Sequence, residues 1–229
     1  MPLILHIDTA TESSIVCLSD DGKIIAVEEN HDQKNHAAFV QPAIEKIFHS
    51  VQYSLKDIDA VAVTVGPGSY TGLRVGMASA KGLCYALNKP LILINTLEVM
   101  AEAVIRDINK KIGIDANILF CPMIDARRME VFTALYDAAL KPYLQPSAMV
   151  IDEKSFENEL SKHKIIFSGG GSSKMEKLIC HENAIFSAVK QSAEDLNVLS
   201  FKAFNEKQFA DFAYSEPLYL KEFFDQSKK

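Results

Sequence analysis

The chain alternates between short apolar runs and amphipathic stretches. LILHID (3–8) is apolar almost throughout, which predicts a buried strand ending at Asp8. SSIVCLSDDGKIIAVEEN (13–30) places two apolar segments around Asp21-Gly22, the pattern of a hairpin. From Asn35, a candidate N-cap, the period becomes helical. Val40, Ile44, Ile47 and Val51 form one stripe, and Phe39, Ala43 and Phe48 form a second beside it. That face is wider than one core contact requires. Pro42 inside it removes a helix hydrogen bond and predicts a bend. SLKD (54–57) has the spacing of a capping box, and IDAVAVTV (58–65) reads as a strand. A glycine-rich segment follows, then a helix to about Leu87. PLILIN (90–95) and TLEVMAEAVIRDI (96–108) predict a further strand and helix.

The composition turns polar at NKKIGIDAN (109–117), which places a boundary there. The expected units are 1–108 and 109–229, with the last helix a candidate to return to the first unit. ILFCPMIDARRMEVFTALYD (118–137) is again strand, turn, strand. A helix near 153–162, the strand of KIIFSGGG (164–171), a helix from Ser172 and another from Ser192 complete the chain. Ser192 and Asp195 have capping-box spacing. A shift of 117 residues superposes the two strand-turn-strand units without gaps. Ile7-Asp8 falls on Ile124-Asp125, Leu18 on Leu135 and Asp20 on Asp137. The reading is two related α/β halves, each opened by an antiparallel meander and continued by βα units.

Composition narrows the function classes. With 229 residues, 48% of them apolar, a sizeable core is available. The net charge is −6 and only four residues are arginines: Arg74, Arg106, Arg127 and Arg128. A protein that grips nucleic acid by itself usually carries a basic excess. Cys17, Cys84, Cys121 and Cys180 lie far apart among apolar neighbours, as expected of reduced core cysteines. No cationic leader precedes LILHID, and no apolar run approaches the roughly 18 residues of a membrane span. The expected location is the cytoplasm.

The glycines of TVGPGSYTGLRVGMASAKG (64–82) fit no phosphate-binding pattern. The P-loop Lys-Ser/Thr is missing after Gly76, the Rossmann spacing fails after Gly68, and Ser69 forms no nucleophile elbow. A four-residue step does fit: Gly68, Gly72, Gly76, Ala80, Cys84. Small residues so spaced line one helix face and admit another backbone, either a partner's or that of the chain's own sheet. FSGGGSSKME (167–176) holds a second run, Gly169, Gly170 and Gly171, open to nucleotide contact or to a tight strand-to-helix turn. Asp8 and Asp125 end equivalent strands, with either a metal-linked or basic role or a local turn-forming one. His31 and His36 are five apart and His163 and His181 eighteen, so neither pair suits a helical metal site. His6 alternates within an apolar strand, as a core residue with a satisfied ring would. No Ser/His or Cys/His nucleophile pair stands out.

Two such halves resemble the actin, sugar kinase and Hsp70 superfamily, whose catalytic members hold ATP phosphates on the first hairpin of each half. Here those turns, DTATESS and DARRMEV, contain no glycine. ILHIDTATESS, GPGSYTGLRVG, MIDARRMEVF and EPLYL, in this order and spacing, resemble the bacterial TsaB (YeaZ) family. Tyr70 stands where that family usually has phenylalanine, and SGGG departs from its acidic-glycine turn. The resemblance implies a two-lobed actin-like fold, that is, a duplicated RNase H-like α/β fold with mixed sheets flanked by helices. It also implies a relative of TsaD, the enzyme that transfers threonylcarbamoyl to N6 of adenosine 37 in tRNAs reading ANN codons. TsaD binds metal through His-x-x-x-His after the strand matching PLILIN, where this chain has Thr96 and Met100. The implied role is therefore a non-catalytic subunit with no metal and no cofactor of its own, ATP or ADP being confined to a complex interface. Its implied partners are TsaD and the ATPase TsaE, with tRNA reached through the complex, a threonylcarbamoyl-adenylate supplied by TsaC, and self-pairing when alone. The resemblance puts TsaD on the first two helices of the N-terminal lobe. The expected contact residues there are His36, Phe39, Val40, Ala43, Ile47, Gly72, Leu73, Gly76, Met77 and Ala80. The alternatives are an ATP-using phosphotransferase or metallopeptidase-like enzyme, and a homodimeric nucleotide sensor using SGGGSS.

Overall fold

The computed structural model of the chain describes residues 1–32, 36–111 and 117–221. Its first sheet grows from β1 (Leu3–Asp8), which is buried at every position. β2 (Ser14–Asp20) pairs antiparallel with it, and β3 (Lys23–Asn30) pairs antiparallel with β2 through a turn at Asp21 and Gly22, at φ 50° and 73°. Positive φ at both turn residues gives the twist a tight hairpin needs. β4 (Ala60–Gly66) and β5 (Leu91–Asn95) join the other side of β1 in parallel, giving the order β3-β2-β1-β4-β5.

The second sheet repeats this plan. It contains β6 (Ile118–Asp125), β7 (Glu130–Tyr136), β8 (Pro142–Val150), β9 (Lys164–Ser168) and β10 (Ala184–Ser187), in the order β10-β9-β6-β7-β8. β6 is antiparallel to β7 and parallel to β9, as β1 is to β2 and β4. The 117-residue shift carries β1 onto β6 and β2 onto β7. The sequence pattern missed β8 and β10, because they are edge strands whose positions are mostly half-buried or exposed.

The helices distinguish the halves. α1 (His36–Ser50) and α2 (Tyr70–Leu87) lie side by side on one face of the first sheet. There Val40, Ile44, Ile47, Met77 and Cys84 meet Leu5, Ile7, Val16, Leu18, Val61 and Val63. Both apolar stripes of α1 enter this core, with Phe39, Phe48 and Val51 half-buried against it. The width of that face thus serves a corner between sheet and helix. Asn35, the candidate N-cap, lies outside the described residues. The capping box at Ser54 opens one 3-10 turn, Leu55–Asp57, with Asp57 Oδ2 accepting from the Ser54 N–H at 2.7 Å. α4 (Glu157–Leu160) and α5 (Ser172–Glu176), the counterparts in the second half, are single turns.

α3 (Thr96–Lys111) is buried over most of its first ten residues because both sheets claim it. Leu97, Met100, Ala101 and Val104 pack on Phe120 and Ile166 of the second sheet, while Val99 packs with Ile4, Ala62 and Ile92 of the first. α6 (Ala193–Asn205) returns to the first sheet, on the face opposite α1 and α2, through Leu196 and Ala203. Its capping box forms: the Ser192 N–H and Oγ both donate to Asp195 Oδ2 at 2.8 Å. Arg106 Nε donates to the other carboxylate oxygen at 2.7 Å, tying α3 to the buried start of α6.

Two sequence expectations need correction. Cys17, Cys84 and Cys121 are buried, but Cys180 is exposed in the loop after α5. His6 is in the core, with Nε2 2.8 Å from Ser19 Oγ, yet its Nδ1 has no partner among the described residues. No described helix is long and apolar enough to cross a membrane.

Candidate functional site

The glycine stretch packs on the β1–β2 turn. A Cβ at Gly68 would fall on the Ala10 carbonyl oxygen, and one at Gly72 on that of Thr9. The backbones therefore touch: the Ser69 N–H donates to Ala10 O at 2.7 Å, and Thr9 Oγ1 donates to Gly72 O at 2.7 Å. A Cβ at Gly76 would meet Thr9 Oγ1 at 2.5 Å and the methyls of Val63 and Ile7 at 3.5 and 3.6 Å. Glycine inside a helix costs about 1 kcal/mol relative to alanine. Here that cost is offset by seating α2 directly on the turn where the superfamily's phosphate contacts are expected. Ser69 caps the helix, its Oγ accepting the Gly72 N–H at 3.3 Å.

This packing corrects the expected contact set. Val40, Ala43, Ile47, Gly72, Leu73, Gly76, Met77 and Ala80 are buried in this chain's own core and offer no surface to a partner. Phe39 is half-buried against the same core. His36 opens α1, and its side chain lies outside the described residues. The outward face carries a different small-residue step, Ala78, Gly82 and Ala86 on α2, with Arg74 one turn before it, all exposed. Beside it run Ala37, Ala38, Gln41 and Pro42 of α1, also exposed. Gln41 Nε2 donates to Ser79 Oγ at 3.2 Å and joins the two helices. A Cβ at Gly82 would meet nothing within 4 Å, and Tyr85 is 80% exposed. A hollow of about 460 Å³ opens beside α1 between Pro42, Glu45, Phe48 and His49. The outer step has the same period as the inner one, so spacing alone could not separate them.

The two strand-end aspartates both bond the backbone of the turns that follow them. Asp8 Oδ1 accepts from the Ala10 N–H at 3.0 Å and from Thr64 Oγ1 at 2.7 Å, in a buried position. Asp125 Oδ1 accepts from the Arg127 N–H at 2.6 Å and from Lys174 Nζ at 2.8 Å. The lysine, followed by the backbone bond, holds this carboxyl below its ordinary range. Thr96 and Met100 are both buried, and the Met100 methyl packs where a Gly169 Cβ would go. Among the described residues, no three His, Cys, Asp or Glu side chains cluster as a metal site requires.

The second glycine run is accounted for in large part by packing. Gly169, at φ 85°, lies against Met100 and Met123 O, and a Cβ at Gly171 would press Val131, Ile124 and Met123. The Gly171 N–H donates to Met123 O at 3.0 Å, as the Ser69 N–H does to Ala10 O in the first half. Gly170 alone faces open space, with Glu12 the nearest neighbour at 3.9 Å.

One further feature was not legible in the sequence. After α6 the chain runs back along the first sheet: Leu218 N–H donates to Val65 O at 2.7 Å, under Gly66 at φ 117°. Lys81 Nζ donates to the carbonyls of Ala213 and Ser215, and Arg74 Nε to the Tyr219 hydroxyl at 3.1 Å. The segment therefore walls a cleft of about 780 Å³ between Tyr70 in the first half and Arg127–Glu130 in the second. Arg127 and Arg128 hold φ of 72° and 48° at the β6–β7 turn. Left-handed backbone costs about 1–2 kcal/mol for each such side chain.

Duplicated sheets of this order, joined by a helix buried between them, define a two-lobed actin-like α/β protein. The chain belongs to the family described as TsaD, tRNA N6-adenosine threonylcarbamoyltransferase, which matches residues 24–217, and within it resembles the TsaB/YeaZ members. It is 29% identical over 236 aligned positions to the tRNA threonylcarbamoyladenosine biosynthesis protein TsaB of Escherichia coli, covering 95% of this chain and 94% of that one. It is 32% identical over 133 residues to TsaB of Bacillus subtilis, 58% of this chain and 54% of the relative, so that alignment spans about half the relative's length. Its fold matches that of YeaZ from Pseudomonas aeruginosa, with a TM-score of 0.79 at 23% identity over 96% of this chain and all of the other.

Proposed function

We propose that the chain is a subunit of a tRNA threonylcarbamoyladenosine-forming assembly in the cytoplasm, and that it acts by pairing with a TsaD-type transferase. Its role is non-catalytic. The observation that carries this reading is the outer face of α1 and α2, where Ala37, Ala38, Ala78, Gly82 and Ala86 leave two long helices flat and open. Such a face admits a partner helix at close range, and a standard interface buries about 800 Å² on each side. The names of the relatives support the pathway. The absence of a catalytic role is supported by the chain's own packing: Asp8 and Asp125 serve their turns, and Met100 fills core space. Nucleotide, TsaE and tRNA join through the complex, and copies of this chain pair through the same face when the transferase is missing.

The test is Ala78→Arg with Gly82→Arg. Both positions are exposed, so the monomer keeps its fold while the face gains two bulky charges. Mixed with the TsaD of its organism, the parent chain elutes from gel filtration as a complex and the variant does not. Reconstitution with TsaD, TsaE, TsaC, ATP, threonine, bicarbonate and tRNA loses threonylcarbamoyladenosine with the variant. Unchanged pairing and unchanged modification overturn the reading.

A further inference from the structure

We propose that the cleft between Tyr70, Tyr219 and the Arg127–Arg128 turn binds an RNA strand, deepening the proposed function and resting on it. The chain has four arginines and is acidic overall, yet two of the four, Arg127 and Arg128, line this cleft, and Arg74 stands beside it, hydrogen-bonded to Tyr219. Arg106, the fourth, is committed to Asp195. The two acids near the turn already have lysine partners: Asp125 pairs with Lys174 at 2.8 Å, and Glu130 with Lys221 at 2.6 Å. Arg127 and Arg128 have no ion pair among the described residues, and both are exposed. Their strained backbone is the second observation. The local geometry favours Asn or Gly at both positions, so arginine is held there against conformational preference, a pattern that clusters at binding sites. Across the cleft, Tyr70 and Tyr219 lie with ring centroids 5.4 Å apart, and Arg74 sits 4.1 Å over the Tyr70 ring. Guanidinium groups recognise phosphate oxygens through paired donors, and tyrosine rings stack unpaired bases. Arg127 and Arg128 on one wall, with the Tyr70 and Tyr219 rings and their Arg74 on the other, match a single-stranded phosphodiester chain. The size of the cleft suits one or two nucleotides of it.

The experiment uses the full chain with Arg127→Asn and Arg128→Gly together. Those residues suit the left-handed turn, so the variant melts no lower than the parent. Binding of a fluorescent single-stranded RNA, followed by anisotropy across a salt series, is expected to weaken about tenfold. The slope of log affinity against log salt should fall by about 1.4, since two phosphates are no longer neutralised and each accounts for about 0.7. Equal affinity and slope in parent and variant overturn the proposal, as does the absence of salt-dependent RNA binding by the parent. A parallel titration with ATP and ADP separates the source. Tight nucleotide binding that displaces the RNA and is lost in the same variant makes the ligand a free nucleotide, which also overturns it. Gel filtration with TsaD runs alongside. Pairing retained while RNA binding fails to respond rejects the cleft alone, whereas pairing absent from the parent rejects the underlying function.

Discussion

The turns that follow β1 and β6 occupy the same place in two copies of one sheet, and the chain uses them in opposite ways. In the first half, α2 is seated on the turn by three glycines, and Thr9 and Asp8 are sealed beneath it. In the second half, a five-residue helix stands in its place and the turn projects outward with two arginines at its tip. The sheets differ little, whereas the helices and turns around them differ greatly. Function is carried by what decorates the duplicated frame.

The largest effect expected is from breaking the first contact. Gly72→Val puts a branched side chain on the Thr9 carbonyl, and more than about 4 kcal/mol of stability should be lost in urea unfolding. Gly170→Ala, in the second half's glycine run, meets only Glu12 and should change stability by less than about 0.5 kcal/mol. Similar losses from the two would sink the contrast.

Next is the tie between α3 and α6. Arg106→Ala leaves Asp195 fully buried without its cation. Losing one partner of a buried pair costs about 3–5 kcal/mol. Because Arg106 is 30% exposed, about 2 kcal/mol is expected here, read from the same unfolding curves.

His6 sharpens the comparison between the sheets, since the 117-residue shift aligns it with Met123. Burial pushes its pKa down to about 3, while the unfolded chain takes up the proton near 6.5. Between those values the unfolded state holds more protons, so folding stability falls as pH drops, by up to about 1.4 kcal/mol per unit. Above pH 6.5 the contribution is flat. His6→Met should remove this slope between pH 6.5 and 4.5, at a constant cost of about 1 kcal/mol for the lost Ser19 hydrogen bond. An unchanged slope would assign acid sensitivity to other groups.

The smallest change is at Gly82, on the outer face. Gly82→Ala meets no atom within 4 Å and should stabilise α2 by up to about 1 kcal/mol, seen as a small rise in melting temperature. A fall would mean that the outer face is packed after all.

Much of this architecture was legible beforehand. Continuous apolar runs marked β1, β4, β5 and β6, because strands buried on both faces show no alternation. Asp21-Gly22 marked its hairpin, and Ser192 with Asp195 marked the start of α6. Which face of α2 points outward was not legible. Two four-residue steps of small side chains run along α2, and each satisfies the same spacing. Nor could local pattern place Tyr219 beside Arg74, which is 145 residues away.

Local pattern was enough to set the buried strands, the main helices and their duplication, because backbone pairing and apolar periodicity are properties of short segments. Long-range packing settled which small-residue stripe faces the sheet, that α3 is shared by both cores, and that Arg74 with Tyr219 stands across a cleft from the Arg127–Arg128 turn. Those outcomes depend on burial and on contacts between segments far apart in the chain, which spacing along the chain does not encode.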